Sequence, residues 1–435
     1  MSSVLLCCTP AHSHLTPILT VARHLVAARH DVRVLTGRRF ADLVTDTGAE
    51  FLPLPAEADI DLDHPNEAFP ERAGLRGPAE IRFSMINLFI RPGRAQLRAI
   101  DDAIQVRPVD VVVAEALFTG AVLLHGRPRN ERPAVFTLGI VPLAAEDPDV
   151  APYGLGMTPM PGTAGRVRNA ILRGVAGRIF GPVNAAVMDS YRAIGVAEPA
   201  DFSLFDVPAN TDLVLQFTVP GFEYPRSTLP ENVRFAGPLS RLTTAAGEPV
   251  PGWWRDLDAG RPVVHVTQGT VANADLGELV IPTIQALAAD DVLVVVSTGR
   301  GNADALDDLS GGLPDNVRVA DYLPYGPLFD KLSVLVTNGG YGGLHHALQH
   351  GVPIVAAGAT EDKLETTARV AWSGAGINLR TSTPSPTRIR AAVGKVLSDS
   401  RYRKASARIG AEIASAPGLA ALDEAIAELP EPVTE

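Results

Sequence analysis

Two cysteines stand in 435 residues, and they are neighbours, Cys7 and Cys8. Adjacent thiols inside an apolar run neither bridge each other nor have metal-ligand spacing. A disulfide framework and a cysteine metal site are therefore set aside in favour of reduced, buried side chains. Positive charge is also short, with 38 Lys and Arg against 49 Asp and Glu and a net charge of −11. A nucleic-acid protein would need clustered cations, so that class is set aside too. No apolar run reaches membrane-spanning length. Residues 4–8 are too few for a signal-peptide core, no basic region precedes them, and they lead straight into Thr9-Pro10. A cytoplasmic protein with no integral membrane segment is expected. Internal repeats and low-complexity segments are missing as well.

What is present is apolar side chain: 46% of the residues are hydrophobic and 20% charged, enough for sizeable cores and for two domains of ordinary size. Short β-branched runs at residues 3–8, 32–36, 110–114, 133–139 and 213–218 alternate with helical spacing in the first half. Runs at 263–267, 292–297, 317–320, 334–336, 354–357 and 377–379 do so in the second. Repeated βα alternation implies two doubly wound parallel sheets, an α/β fold with a cleft between them. Residues 237–252, with Pro, Gly, Ser and Thr, read as the linker between domains over 1–236 and 253–415. Helices are expected over 79–104, 167–180, 183–194, 275–289 and 402–429. Arg168, Arg173 and Arg178 read as a solvated face rather than a membrane patch. The loop 55–78 is long enough to suggest a role of its own.

The most informative stretch is 331–376. A short strand-like run ends at Asn338-Gly339-Gly340-Tyr341-Gly342-Gly343, and a helical pattern follows at once. Glycines let backbone approach an anion, and the first-turn N–H groups of a helix are unpaired and point at it. Gly351-Val352-Pro353 ends that helix, and a second buried run leads to Thr360, Asp362 and Lys363 at its carboxyl end, where open α/β sheets bind ligands.

The spacing from Asn338 through Gly351-Val352-Pro353 to Asp362-Lys363 and Ser373-Gly374-Ala375-Gly376 resembles the donor signature of the GT-B-fold family 1 glycosyltransferases. The likeness is to the natural-product branch, which uses nucleotide-activated sugars. The resemblance implies an inverting transfer from a TDP- or UDP-sugar, a co-substrate rather than a cofactor, to a hydroxyl of a hydrophobic small molecule, with no metal. His14, in the His14-x-x-Pro17 spacing, takes the place of the catalytic base, and Glu115 stands where the family places the Asp that orients it. His12 lacks that support and reads as structural. Gly269 and Thr270, with Gly339, Gly340, Tyr341, Gly342 and Gly343, correspond to the diphosphate contacts. Tyr322-Leu323-Pro324 matches the segment that stacks on and reads the pyrimidine. Residues 141–165 and 83–90 fall where the acceptor pocket is shaped, giving Phe83, Ile86, Ile90 and Met157 as candidate walls. Residues 416–435 correspond to a tail that crosses back to the first domain.

Several positions on the donor side depart from the family pattern. Asn338 replaces a histidine, Gly343 a hydroxyl residue, and His346 the Glu that holds the ribose; Asp362-Lys363 also replaces an Asp-Gln pair. A non-catalytic homologue acting as a helper protein therefore stays open beside the transferase, as do a lipid acceptor and an epimerase of nucleotide sugars. A homodimer is the open option for assembly. Two Asp-x-Asp strings, Asp61/Asp63 and Asp147/Asp149, read as solvated loop residues rather than a metal motif.

Overall fold

The structure is a computed structural model, and it describes residues 1–239, 250–269, 275–299, 306, 312–360 and 362–429. Most of the expected linker, together with Thr270, lies outside the described residues. The first sheet contains β1 (Ser3–Cys7), β2 (Asp31–Thr36), β3 (Glu50–Pro53), β4 (Val111–Glu115), β5 (Ala134–Gly139), β6 (Leu213–Gln216) and β7 (Val233–Phe235). Its order is β3-β2-β1-β4-β5-β6-β7, and every pairing is parallel. The second contains β8 (Val263–Thr267), β9 (Leu293–Ser297), β10 (Val317–Ala320), β11 (Val334–Thr337), β12 (Ile354–Ala356) and β13 (Gly376–Asn378), in the order β10-β9-β8-β11-β12-β13, again all parallel. These are the two doubly wound sheets that the alternation implied. Their central strands are buried on both faces, which is why β1, β4, β8, β9 and β11 read as unbroken apolar runs.

Strand order reverses between β1 and β4 in one sheet and between β8 and β11 in the other. Val4 pairs with both Val32 and Val111, and Val264 with both Val334 and Val294. The chains leaving such neighbours turn to opposite faces, opening a crevice at the carboxyl ends of the strands. Residues 8–14 and 115–117 flank the first crevice, and residues 268–269 and 338–343 the second.

Several elements differ from the sequence reading. Strands β3 and β7 were not expected, because Glu50-Phe51-Leu52-Pro53 and Val233-Arg234-Phe235 are short, mixed edge strands with no long apolar run. Residues 79–104 form three pieces: a helix at Pro78–Ser84, a wider π-turn at Met85–Ile90, and a helix at Gly93–Val106 beyond Pro92. Two helices expected over 167–194 are one, Gly162–Ala193, with Pro182 inside it. Gly181 has no Cβ for the proline ring to strike, so the helix continues through a position that normally ends one. Residues 402–429 break at Pro417-Gly418, where Gly418 takes φ +67, into Ser400–Ser415 and Ala420–Ala427. No helix among the described residues is long and apolar enough to cross a membrane.

Among the described residues, each half of the chain sends a segment into the core of the other. Val219 and Phe222, just past β6, are buried with Leu257, Val263 and Leu335 in the core of the second sheet, before the chain returns as β7. A division at residue 236 thus splits the chain but not the packing. Conversely Leu419, Leu422 and Ile426 are buried with Val4, Leu25 and Leu215 in the core of the first sheet. Gly418 N donates to Ala236 O at 2.6 Å, and His24 Nε2 lies 2.9 Å from Asp423. Leu422 is 1% exposed. We expect Leu422→Ala to lower unfolding stability in urea by about 2–5 kcal/mol, as buried leucine truncations do. A loss well under 1 kcal/mol would show that this helix does not belong to the first core in solution.

Candidate active site

On the first-domain side, the crevice after β1 and β4 brings His14 and Glu115 together. Glu115 is the last residue of β4, and its side chain is 1% exposed. Its Oε1 accepts from Thr9 N at 3.3 Å and its Oε2 from Leu117 N at 2.7 Å. His14 stands in the first turn of the helix His12–Ala27, and its Nδ1 lies 3.3 Å from Glu115 Oε2. The extra methylene of Glu over Asp therefore still reaches the ring. Burial works against the Glu115 charge, but the neighbouring His14 and the two backbone donors outweigh it and hold the carboxyl below the usual range. A carboxylate on Nδ1 fixes the tautomer and leaves Nε2 as the basic edge on the opposite side of the ring.

The helix start carrying His14 is braced from the long loop before Pro78. Asp63 accepts from His12 N at 3.1 Å, using an unpaired amide of the helix start, and Arg39 ties Pro10 O at 2.7 Å to Asp63 at 2.8 Å and to Asp61. Asp147 is only 3% exposed and accepts from Thr228 N and Oγ1 at 2.7 and 2.8 Å. Asp63 and Asp147 are thus structural acceptors rather than solvated loop residues, while Asp61 keeps a 44% exposed side chain. Arg168 and Arg173 likewise do not form a free face: they donate to Thr158 O and Asp147 O. Among the described residues no cluster of three His, Cys, Asp or Glu side chains could hold a metal.

On the second-domain side, β11 leads into the turn 338–340 and the helix Tyr341–Gln349. Gly339 takes φ +94, and a Cβ there would meet Thr367 Cγ2 at 2.6 Å, while its carbonyl accepts from Thr366 Oγ1 at 2.7 Å. A Cβ at Gly340, Gly342 or Gly343 would meet nothing within 4 Å, so this face of the turn is open and its first-turn amides are presented. Asn338 spans the crevice and donates from Nδ2 to Gln268 O at 2.6 Å. The neutral amide at this position therefore joins the two turns. Gly269, at φ +80, completes the facing turn. A cavity of about 250 Å³ lies between them, lined by Gln268, Asn338, Gly358, Thr360, Lys363 and Ser382 among others. Asp362 is the N-cap residue of the helix Lys363–Trp372.

The other candidates are placed less evenly. Tyr322 is 54% exposed, whereas Leu323 is buried in the core. His346 stacks on Phe329 at 5.8 Å with its edge neighbour Tyr325 at 5.6 Å, and burial pushes its pKa down to about 4, so the ring is neutral. The Tyr341 side chain points to the first domain, with its hydroxyl 3.4 Å from Gln216 Nε2. Of the acceptor walls, Phe83 packs edge-on against Phe69 at 5.9 Å, and Met157 lies partly exposed in the loop after β5. Ile90 is a correction: at 1% exposure it belongs to the core with Leu5 and Leu54, and Ile86 packs against the same core. Along the π-turn the Ile90 side chain is drawn inward by that apolar layer, while Ile86 stays partly exposed.

Two contacts were not anticipated. His345, pushed down to about 4 by burial, receives Thr218 Oγ1 at 2.7 Å on Nε2 and lies 2.8 Å through Nδ1 from Tyr341 O. Arg369, Glu365 and Glu223 form a buried ionic chain linking β5's loop to the helix Lys363–Trp372. The carboxyl ends of the two sheets thus meet at one cleft, since Gln216 and Thr218 after β6 touch Tyr341 and His345 after β11.

Two doubly wound domains sharing a cleft at their strand ends define the GT-B class. Residues 282–429 match the family described as erythromycin biosynthesis protein CIII-like, C-terminal domain. The whole chain is similar to a 4'-demethylrebeccamycin synthase of Lentzea aerocolonigenes, with 39% identity over 95% of this chain and 96% of the relative. It is also 34% identical to UDP-glycosyltransferase 2 of Phaeomoniella chlamydospora, over 98% and 95%. Its fold matches the calicheamicin glycosyltransferase CalG4 with a TM-score of 0.75 at 23% identity, over the full length of both. The chain belongs to the GT-B-fold family 1 glycosyltransferases, in their natural-product branch.

Because Glu115 is held below the ordinary glutamate value near 4.5, its charge adds stability above that value and the contribution is lost as pH falls through the folded-state value. Between pH 7 and pH 3 the parent protein should therefore lose unfolding free energy more steeply than Glu115→Gln. Equal slopes in denaturant titrations would rule out a charged Glu115 held by His14.

Proposed function

We propose that the protein moves a sugar from a TDP- or UDP-sugar to a hydroxyl of a hydrophobic natural-product acceptor, with inversion at the anomeric carbon. The observation that carries this reading is the His14–Glu115 pair, 3.3 Å apart at the first crevice, on the cleft that the open glycine turn borders from the other side. The acceptor hydroxyl gives its proton to His14 Nε2 as its oxygen attacks the anomeric carbon, and the nucleoside diphosphate leaves from the opposite face. Single displacement inverts the centre. Glu115 stabilises the imidazolium that forms, and a positioned base of this kind contributes about 10²- to 10⁴-fold.

The leaving diphosphate is met by the first-turn amides of the helix Tyr341–Gln349 and by Gly269, with Lys363 adding charge. Tyr322 offers its exposed ring to the pyrimidine, neutral His346 faces the ribose side, and Asp362 accepts from sugar hydroxyls. Phe83 and Met157 meet the acceptor. A relative named for UDP supports the uridine donor, and the buried free thiols Cys7 and Cys8 fit a reducing cytoplasm.

Calorimetric titration with TDP and with UDP tests the donor half of this reading. Micromolar binding of one identifies the donor class, and no binding of either would overturn the transferase assignment. His14→Ala should lose at least about 10²-fold in transfer rate while keeping nucleotide affinity. Retained turnover would remove His14 as the base.

A further inference from the structure

One loop of the first domain is fastened to the second at both ends. The amides of Gly154 and Gly156 donate to the same oxygen, Glu365 Oε1, each at 2.9 Å. Glu365 Oε2 pairs with Arg369 Nη1 at 2.7 Å one helical turn on. Arg369 then places Nε and Nη2 on Glu223 Oε1 at 2.8 and 2.5 Å, with its guanidinium 4.1 Å above the Tyr224 ring. Glu223 Oε2 accepts from Leu143 N at 3.1 Å, and Arg226 stands 3.5 Å from Oε1. The three charged side chains are at most 5% exposed.

Such a buried chain adds little net stability over apolar packing, because desolvation offsets the attraction. What it supplies is fixed acceptors at fixed points. Gly156, at φ +58, passes so close to the helix that a Cβ would lie 2.7 Å from Leu364 O. Only glycine fits there. Just before the fastened amides, Tyr153 stacks on Phe205 at 6.2 Å, and burial first, then the charge of Asp362, raises its pKa far above the ordinary value.

Resting on the transferase reading above, we infer that Glu365 is a positioning residue that fastens the loop 153–157 of the first domain beside the Asp362–Lys363 pair. The acceptor side of the cleft is thereby built directly against the end of the cleft that receives the sugar. The loop covers the anomeric carbon from solvent. Loosened, it lets water attack that carbon in the acceptor's place, giving free sugar and nucleoside diphosphate, with the water's proton passing to His14.

The test uses Glu365→Gln, which keeps an oxygen for the two amides but loses the charge facing Arg369, and Gly156→Ala, which disturbs the close approach without removing a buried charge. In both, affinity for TDP or UDP should match the parent, because the phosphate contacts lie elsewhere. The kcat for transfer should fall toward about 100-fold, the loss a misplacement near 1 Å can cause. The ratio of donor hydrolysis to transfer should rise, and the Gly154 and Gly156 amides should exchange with deuterium faster. Parental kcat and hydrolysis ratio in Gly156→Ala, or parental exchange in both variants, would overturn the inference. A parent that binds neither nucleotide overturns the transferase reading instead, and amide exchange alone then decides whether Glu365 fastens the loop.

Discussion

In a parallel sheet every strand ends at the same rim, and only where the strand order reverses do neighbouring chains part to leave a crevice. That constraint acts twice here, at β1/β4 and at β8/β11. It explains why His14 and Glu115, 101 positions apart in the chain, come within 3.3 Å, and why Gln268 and Asn338 come within 2.6 Å. Neither pair is local. Each follows from a register that sets Cys7 beside Ala114 in one sheet and Thr267 beside Thr337 in the other. Glu115, Gln268 and Asn338 follow those pairings directly, and His14 reaches the same rim from the first turn of the helix that starts at His12.

The crevices are useful only if they face each other, and that relation is set by groups buried between the sheets. Apolar crossings at Val219–Phe222 and at Leu419–Ile426 anchor each half of the chain in the core of the other. Polar contacts then give direction, since hydrogen bonds have preferred geometry where apolar contact does not. Thr218 on His345 aligns the glycine-turn helix, and Glu365 on Gly154 and Gly156 aligns the next one. Removing one member of the Glu223–Arg369–Glu365 chain would strand buried charge, which costs more than the intact chain contributes.

The sequence showed central strands plainly because both faces of β1, β4, β8, β9 and β11 are covered, leaving no polar alternation to confuse the pattern. It hid β3 and β7, whose edge positions tolerate Glu50, Pro53 and Arg234. His14 and Glu115 could be singled out because their positions resemble those of the family's base and its partner, and the glycine turn because glycines between strand and helix suit an anion. Glu365 and Arg369 could not, because a Glu and an Arg four residues apart on a helix look the same whether they lie on a solvated face or, as here, in an interface. Ile90 failed for a related reason: apolar residues suit a pocket wall and a core equally, and only the packing around the π-turn assigns it to the core.

On the transferase reading, the donor side reaches its electrostatics by an unusual distribution. Its histidines are neutral, since burial lowers both His345 and His346 to about 4, and Asn338 is committed to the Gln268 carbonyl. The protein as a whole carries −11, a field that repels a nucleoside diphosphate at long range. Attraction must therefore arise at short range, from backbone amides aligned at the start of the helix Tyr341–Gln349 and from Lys363 at the cavity wall. Amides at a glycine turn cannot move away from a charge as it develops, whereas a flexible cation can. On the transferase reading, a site built this way favours the geometry of the departing diphosphate over simple accumulation of anions, and the packing of Gly339 against Thr366 and Thr367 holds its amides in place.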